Sequence, residues 1–178
     1  MARNGLSRRE ILAGTAVGAI ATVTGAQAGT SVSKTSSFQF EVTRTDEEWR
    51  AMLSEEEYRI LREGGTEKPK SSPLWIEEAE GTYHCKGCDL PVYTSEWKEV
   101  LDKGWVFFYH SIAHSTMTSI DGPERRYEDG QDLAIVSAIE THCRRCGSHL
   151  GHILIVSGDG RQLHCINGHS LDFKAETA

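Results

Sequence analysis

The sequence lacks any excess of positive charge. Its 178 residues carry 19 lysines and arginines against 26 aspartates and glutamates, a formal net charge of -7. That balance argues against nucleic acid as a partner, because a basic face supplies most of such affinity. It also argues against docking on an anionic membrane surface. A long apolar run is missing too. The uncharged stretch from Ile11 to Ala26 is rich in Ala, Gly and Thr. It is too short and too weakly apolar to span a bilayer well, so no stable membrane insertion is expected. No internal repeat or long low-complexity tract occurs. What remains, 38% hydrophobic and 25% charged residues, suits one soluble domain with a real core.

The N-terminus reads as an address. Ser7-Arg8-Arg9 followed by Ile11-Leu12 resembles a twin-arginine export signal. Ala26-Gln27-Ala28 then offers a small-x-small cleavage site. The alternatives are a frayed helix or an uncleaved anchor. The expected organisation is a signal peptide over 1–28, a Ser/Thr/Gly-rich flexible lead-in over 29–37, and a catalytic domain over 38–178. The expected location is the periplasm, or another exported compartment.

Within the domain, Thr45 with Glu48 and Ser54 with Glu57 are capping boxes that open two short helices. The first carries Trp49, Met52 and Leu53 on one face. The second carries Tyr58, Ile60 and Leu61 and stops at Gly64-Gly65. Thr66 to Pro73 is loop. Six short runs rich in Val, Ile and aromatics then read as strands: Thr82–His84, Leu90–Tyr93, Trp105–Tyr109, Leu133–Ala138, Ile153–Val156 and Leu163–Ile166. The fold class is therefore mainly β, a small domain of antiparallel strands with short helices in front.

Five cysteines are present, and four of them are paired by spacing as Cys85-x-x-Cys88 and Cys143-x-x-Cys146. Two residues between ligands let a tight turn aim both sulfurs at one ion, and two such knuckles complete a tetrahedral sulfur site. One structural zinc ion stapling two distant hairpins is the expected occupant. Iron and a pair of disulfides are the alternatives. Cys165 is left over. A free cysteine is often an inert core thiol, but His164, Asn167, His169, His149 and His152 surround this one in sequence. Histidines can both stabilise a thiolate and deliver a proton.

These residues together resemble the methionine-R-sulfoxide reductase (MsrB) family. The likeness runs through most of 39–173. It includes Thr45-Asp-Glu-Glu-Trp49, Gly65-Thr-Glu67, Tyr83-His-Cys-Lys-Gly-Cys88, Gly104-Trp105, Phe108-Tyr109, Cys143-Arg-Arg-Cys-Gly-Ser-His-Leu-Gly-His152 and Cys165-Ile-Asn167. The resemblance implies a peptide-methionine (R)-S-oxide reductase with twisted antiparallel sheets. It implies Cys165 as nucleophile, His149 and His152 as the assisting pair, and Asn167 as a polar residue of the site. Trp105 and Phe108 would wall the substrate, and Cys85, Cys88, Cys143 and Cys146 would hold zinc. The substrate would be free or protein-bound methionine-R-sulfoxide, and the product on the protein a sulfenic acid.

The chain departs from the family pattern at several positions. Lys103 stands where many relatives carry a resolving cysteine, so an external thiol of the thioredoxin-like kind is the expected reductant. Leu163 replaces an arginine two residues before the nucleophile. His164 could compensate only if it shared the nucleophile's face of the strand. Gly168 replaces a serine, Lys70 an aromatic residue, and Val106 a proline. A binding module that kept the fold and lost catalysis, or a thiol oxidoreductase using the Cys-x-x-Cys pairs, are the other readings. A monomer is expected, since nothing suggests a coiled coil or a swapped strand.

Overall fold

A computed structural model of the chain describes residues 38–120, 125–126, 135–155 and 160–177. The expected signal peptide (1–28) and lead-in (29–37) lie outside the described residues. So do Leu133, Ala134 and Val156 of the expected strands.

Both capping boxes form. Thr45 Oγ1 accepts the Glu48 N–H at 3.3 Å, and the Glu48 carboxylate accepts the Thr45 N–H at 2.8 Å, opening α1 (Asp46–Met52). Ser54 and Glu57 repeat this at 3.3 and 2.9 Å and open α2 (Glu55–Glu63), which ends at the left-handed cap Gly64. Each such cap is worth about 1 kcal/mol. Trp49, Leu53, Tyr58, Ile60 and Leu61 enter the core. Met52, expected beside Trp49, stays 45% exposed. The helix ends there, and the chain turns away through extended Leu53. No helix among the described residues is long and apolar enough to cross a membrane.

Among the described residues ten strands follow: β1 (Gly81–Cys85), β2 (Pro91–Thr94), β3 (Lys98–Glu99), β4 (Val106–Phe108), β5 (Thr116–Ile120), β6 (Arg125–Arg126), β7 (Ile135–Cys143), β8 (His149–Ile155), β9 (Gln162–Ile166) and β10 (Leu171–Ala175). They form two antiparallel sheets. One has the order β10-β1-β2, and the other β3-β4-β9-β8-β7-β5, with β6 on β7. The mainly β, antiparallel expectation therefore holds. β7 and β8 are longer than the apolar runs that announced them. They extend through polar Glu140 and His142 to Cys143, and back through His149 and His152. β10 escaped notice because it is mostly exposed, with only Leu171 buried.

Strand alternation gives the larger sheet two chemically different faces. Val106 and Phe108 of β4, Leu150 of β8 and Ile166 of β9 join the main core with Tyr83 and Tyr93. Phe108 stacks on Tyr93 with ring centroids 4.3 Å apart. The opposite face carries a smaller cluster of Phe107, Leu154 and Leu163, against which Leu101, Trp105, Tyr109 and Cys165 pack.

Candidate active site and metal centre

The four paired cysteines converge. Cys85 ends β1 and Cys88 sits in the turn toward β2. Cys143 ends β7 and Cys146 sits in the turn toward β8. Their sulfurs all lie within 4.8 Å of one another. The closest pairs cross between knuckles, Cys85 to Cys146 at 3.7 Å and Cys88 to Cys143 at 3.5 Å. Four sulfurs about 2.3 Å from one tetrahedral ion would stand about 3.8 Å apart, so the cage fits a metal ion. All five cysteines are free thiols, and no disulfide joins either pair. Hydrogen bonds centred on Cys143 draw Cys88 and Cys146 down and push Cys85 up. A cluster that must share protons in this way releases them when a cation arrives. Because each knuckle caps a hairpin of a different sheet, the ion would staple the two sheets together.

Cys165 lies on β9 with Phe107 of β4 on one side and His152 of β8 on the other, each as its direct cross-strand partner. Direct partners share a face. Phe107 and His152 therefore flank the thiol, while Trp105 joins it in the same apolar cluster. Phe108, expected as a substrate wall, faces the main core and is fully buried. The period of two along β4 puts Phe107 in that place instead.

His149 is three residues from His152, which on a regular strand would set them on opposite faces. The β7–β8 ladder slips between Thr141 and His142, leaving Leu150 as an extra residue. Such a bulge re-aims the neighbouring side chain. His149 and His152 consequently meet edge to face with ring centroids 5.3 Å apart. His149 is 3% exposed. Its Nδ1 lies 2.6 Å from Glu140 Oε1, and Ser119 Oγ donates to Glu140 Oε2 at 3.0 Å. The bond to His149 holds the Glu140 carboxyl down at about 2. His149 Nε2 and Trp105 Nε1 are buried and have no hydrogen-bond partner among the described residues.

Gly151, between the two histidines, sits against the Cys165 backbone. A Cβ there would fall 2.0 Å from the Cys165 carbonyl oxygen. Only glycine lets β8 and β9 approach this closely.

Asn167 is 3% exposed, and its amide is engaged with backbone on both sides. Oδ1 accepts the Glu67 N–H at 2.9 Å, and Nδ2 donates to the Leu150 carbonyl at 3.0 Å. Glu67 answers by accepting the Gly168 and His169 N–H groups at 2.8 and 2.9 Å. This clasp ties the 64–72 loop to the segment just after Cys165. It acts through position, by fixing where β9 ends.

The Cys165 thiol is pushed up to about 12 by burial in its apolar surroundings, with a smaller push from the Glu67 carboxylate. Leu163 is part of those surroundings. His164 does not offset this, because it points to the other face. Its Nδ1 lies 3.0 Å from the Tyr93 hydroxyl, and burial lowers it to about 4.

Two departures from the family pattern acquire reasons. Lys70 has a left-handed φ of 63° and donates its N–H to the Gly104 carbonyl at 2.8 Å. Its ammonium pairs with Asp102 and lies 5.0 Å from the Trp75 ring centroid. Gly168 faces Ser72 so closely that a Cβ would lie 2.3 Å from Ser72 Oγ and 2.5 Å from Ser72 Cβ. Ser72 thus fills the space that a side chain at 168 would need. Gly168→Ser should cost about 1–3 kcal/mol by overpacking. Adding Ser72→Gly should recover most of it. Chemical denaturation of the two single variants and the double variant checks this. Additive losses would show that the two sites do not share the space.

Sequence reasoning missed Glu140, Glu67 and Phe107. Glu67 stood inside a quoted motif without a role. Glu140 lies three residues before Cys143; in the β7–β8 ladder it stands opposite His152, and its bond to His149 depends on the bulge at Leu150, which no sequence signal announces.

The SelR domain family model matches residues 53–175. Peptide methionine sulfoxide reductase B3 of Arabidopsis thaliana is 38% identical over 137 residues, which cover 74% of this chain and 70% of that protein. Peptide methionine sulfoxide reductase MsrB of Agrobacterium fabrum is 34% identical over 134 residues, covering 75% and 93%. The protein of that name from Methanosarcina barkeri is 36% identical over 139 residues, covering 76% and 89%. The lone thiol, the paired histidines and the four-cysteine cage thus lie in a chain that belongs to the SelR-domain, methionine sulfoxide reductase B family.

Proposed function

We propose that this chain is a peptide-methionine (R)-S-oxide reductase that works with one cysteine. The observation that carries the reading is the single thiol on the apolar sheet face, flanked by His152, against which His149 packs, and by an aromatic wall. Trp105 and Phe107 would receive the sulfoxide's methyl group and exclude water. The Cys165 sulfur would attack the sulfoxide sulfur while the oxygen takes up the proton that left the thiol. The S–O bond of the substrate breaks, and the oxygen ends on Cys165. A thiol and a sulfoxide become a sulfenic acid and a thioether, with no atom left over. Protonation is needed because a sulfoxide oxygen is a poor leaving group. The sulfoxide sulfur is chiral, so only one epimer presents sulfur to the thiol and oxygen to the imidazole together.

The sulfenic acid must be reduced before the next turnover. With Lys103 where relatives carry a resolving thiol, and with four cysteines in the metal cage, the reductant would be an external dithiol of the thioredoxin-like class. Two of its thiols become a disulfide, and the oxygen leaves as water. The metal would be zinc, held by Cys85, Cys88, Cys143 and Cys146 and serving structure only. Residues 1–28 would direct export by the twin-arginine route. That route would let the cage load metal before its thiols meet an oxidising compartment. The mature protein would act as a monomer. Protein with dithiothreitol and the separated epimers of a blocked methionine sulfoxide tests the activity. The R epimer should be consumed and the S epimer left. Equal consumption of both would refute the reading.

A further inference from the structure

We propose that Glu140 is a positioning residue of the reaction: it holds His149 with the proton on Nδ1, leaving Nε2 to carry the Cys165 proton to the sulfoxide oxygen. This rests on the reductase reading above and deepens it. Glu140 Oε1 and His149 Nδ1 are 2.6 Å apart, and Ser119 fixes the other carboxylate oxygen. A carboxylate can only accept, so Nδ1 must donate and Nε2 is left as the acceptor. That atom is buried and has no partner among the described residues. It lies on a ring packed against His152, the cross-strand partner of Cys165.

The arrangement answers a difficulty that the site itself poses. Cys165 packs in the apolar cluster that holds Leu163, and both its burial and the Glu67 carboxylate oppose loss of its proton. A neutral imidazole backed by a half-buried carboxylate can take that proton, because the carboxylate stabilises the imidazolium that results. The proton moves from Sγ to Nε2 as the S–S bond forms, then from Nε2 to the oxygen as the S–O bond breaks; the S–S bond breaks in turn as that hydroxyl passes to the Cys165 sulfur, releasing the thioether and leaving the sulfenic acid. His149 ends neutral, ready for the next cycle. The titratable groups around it are Glu140 and His142 on β7, His152 on β8 and Cys165 on β9.

Glu140→Gln keeps the shape and removes the charge. In the full-length, metal-loaded protein it should lower kcat by about 10- to 100-fold with KM changed little. The acid limb of the kcat/KM profile should move to lower pH. Nitrogen-15 NMR of His149 should show the Nδ1–H tautomer in the wild type, and a mixture of tautomers in the variant. Metal content and circular dichroism of the variant should match the wild type. Ser119→Ala serves as a second variant that leaves the carboxylate in place and should give a smaller loss in the same direction. A Glu140→Gln enzyme with wild-type kcat and an unchanged pH profile would overturn the proposal. So would a His149 that carries its proton on Nε2 in the wild type. Were the wild type itself unable to reduce the R epimer, the reductase reading would fail instead, and that outcome is read before any variant is made.

Discussion

Cys165→Ser is expected to remove sulfoxide reduction, by on the order of a thousandfold or more, while the fold and the metal stay. A serine hydroxyl fits the space between Phe107 and His152. It cannot become the nucleophile, because its proton is held far more tightly than a thiol's. The variant should keep the wild-type circular dichroism spectrum and bind one metal ion per chain, since Cys165 belongs to a different cluster from the cage. Turnover that survives this substitution would mean that a cage cysteine does the chemistry. The thiol oxidoreductase reading of the Cys-x-x-Cys pairs would then return.

Metal removal is expected to have the other large effect, and on stability rather than on chemistry. A structural tetrathiolate zinc site contributes about 10 kcal/mol or more of apparent free energy at neutral pH. That is comparable with the whole stability of a domain this size. At roughly 2–4 °C of Tm per kcal/mol, stripping the ion with a strong chelator should lower Tm by more than about 20 °C, or unfold the protein outright. Cys143→Ser should do the same, because Cys143 is fully buried between Cys88 and Cys146. Thermal melts followed by circular dichroism, with metal content measured alongside, read both. A metal-free protein that melts with the wild type would show that the cage is not the staple between the two sheets.

The two effects separate along a boundary that the sequence already contained in part. The paired cysteines were legible because a two-residue spacing has a local geometric meaning that no tertiary context is needed to supply. The capping boxes at Thr45 and Ser54 were legible for the same reason. What the sequence could not carry was the sidedness of the strands around Cys165. Trp105-Val-Phe-Phe108 is apolar throughout, so nothing in the run says which phenylalanine faces the thiol. The ladder between β4 and β9 decides for Phe107. His149 and His152 read as a pair only because of the extra residue at Leu150. A bulge is set by how two strands meet, and no residue in His149-Leu-Gly-His152 announces it. The polar residues were hidden in a different way. Glu140 and Glu67 read as ordinary charges on a strand and in a loop. Their partners, His149 and the Gly168 backbone, are 9 and 101 residues away.

The lone-cysteine mechanism is tested most directly by a single turnover without reductant. Full-length, metal-loaded protein is mixed with an excess of the R epimer of a blocked methionine sulfoxide, and both the product and the intact protein mass are read. One methionine per chain should appear in a burst that then stops. The protein should gain the mass of one oxygen, trapped by dimedone at Cys165 and nowhere else. The S epimer should give neither signal. Methionine released without oxygen on Cys165, or a disulfide formed within the chain in its place, would contradict the account.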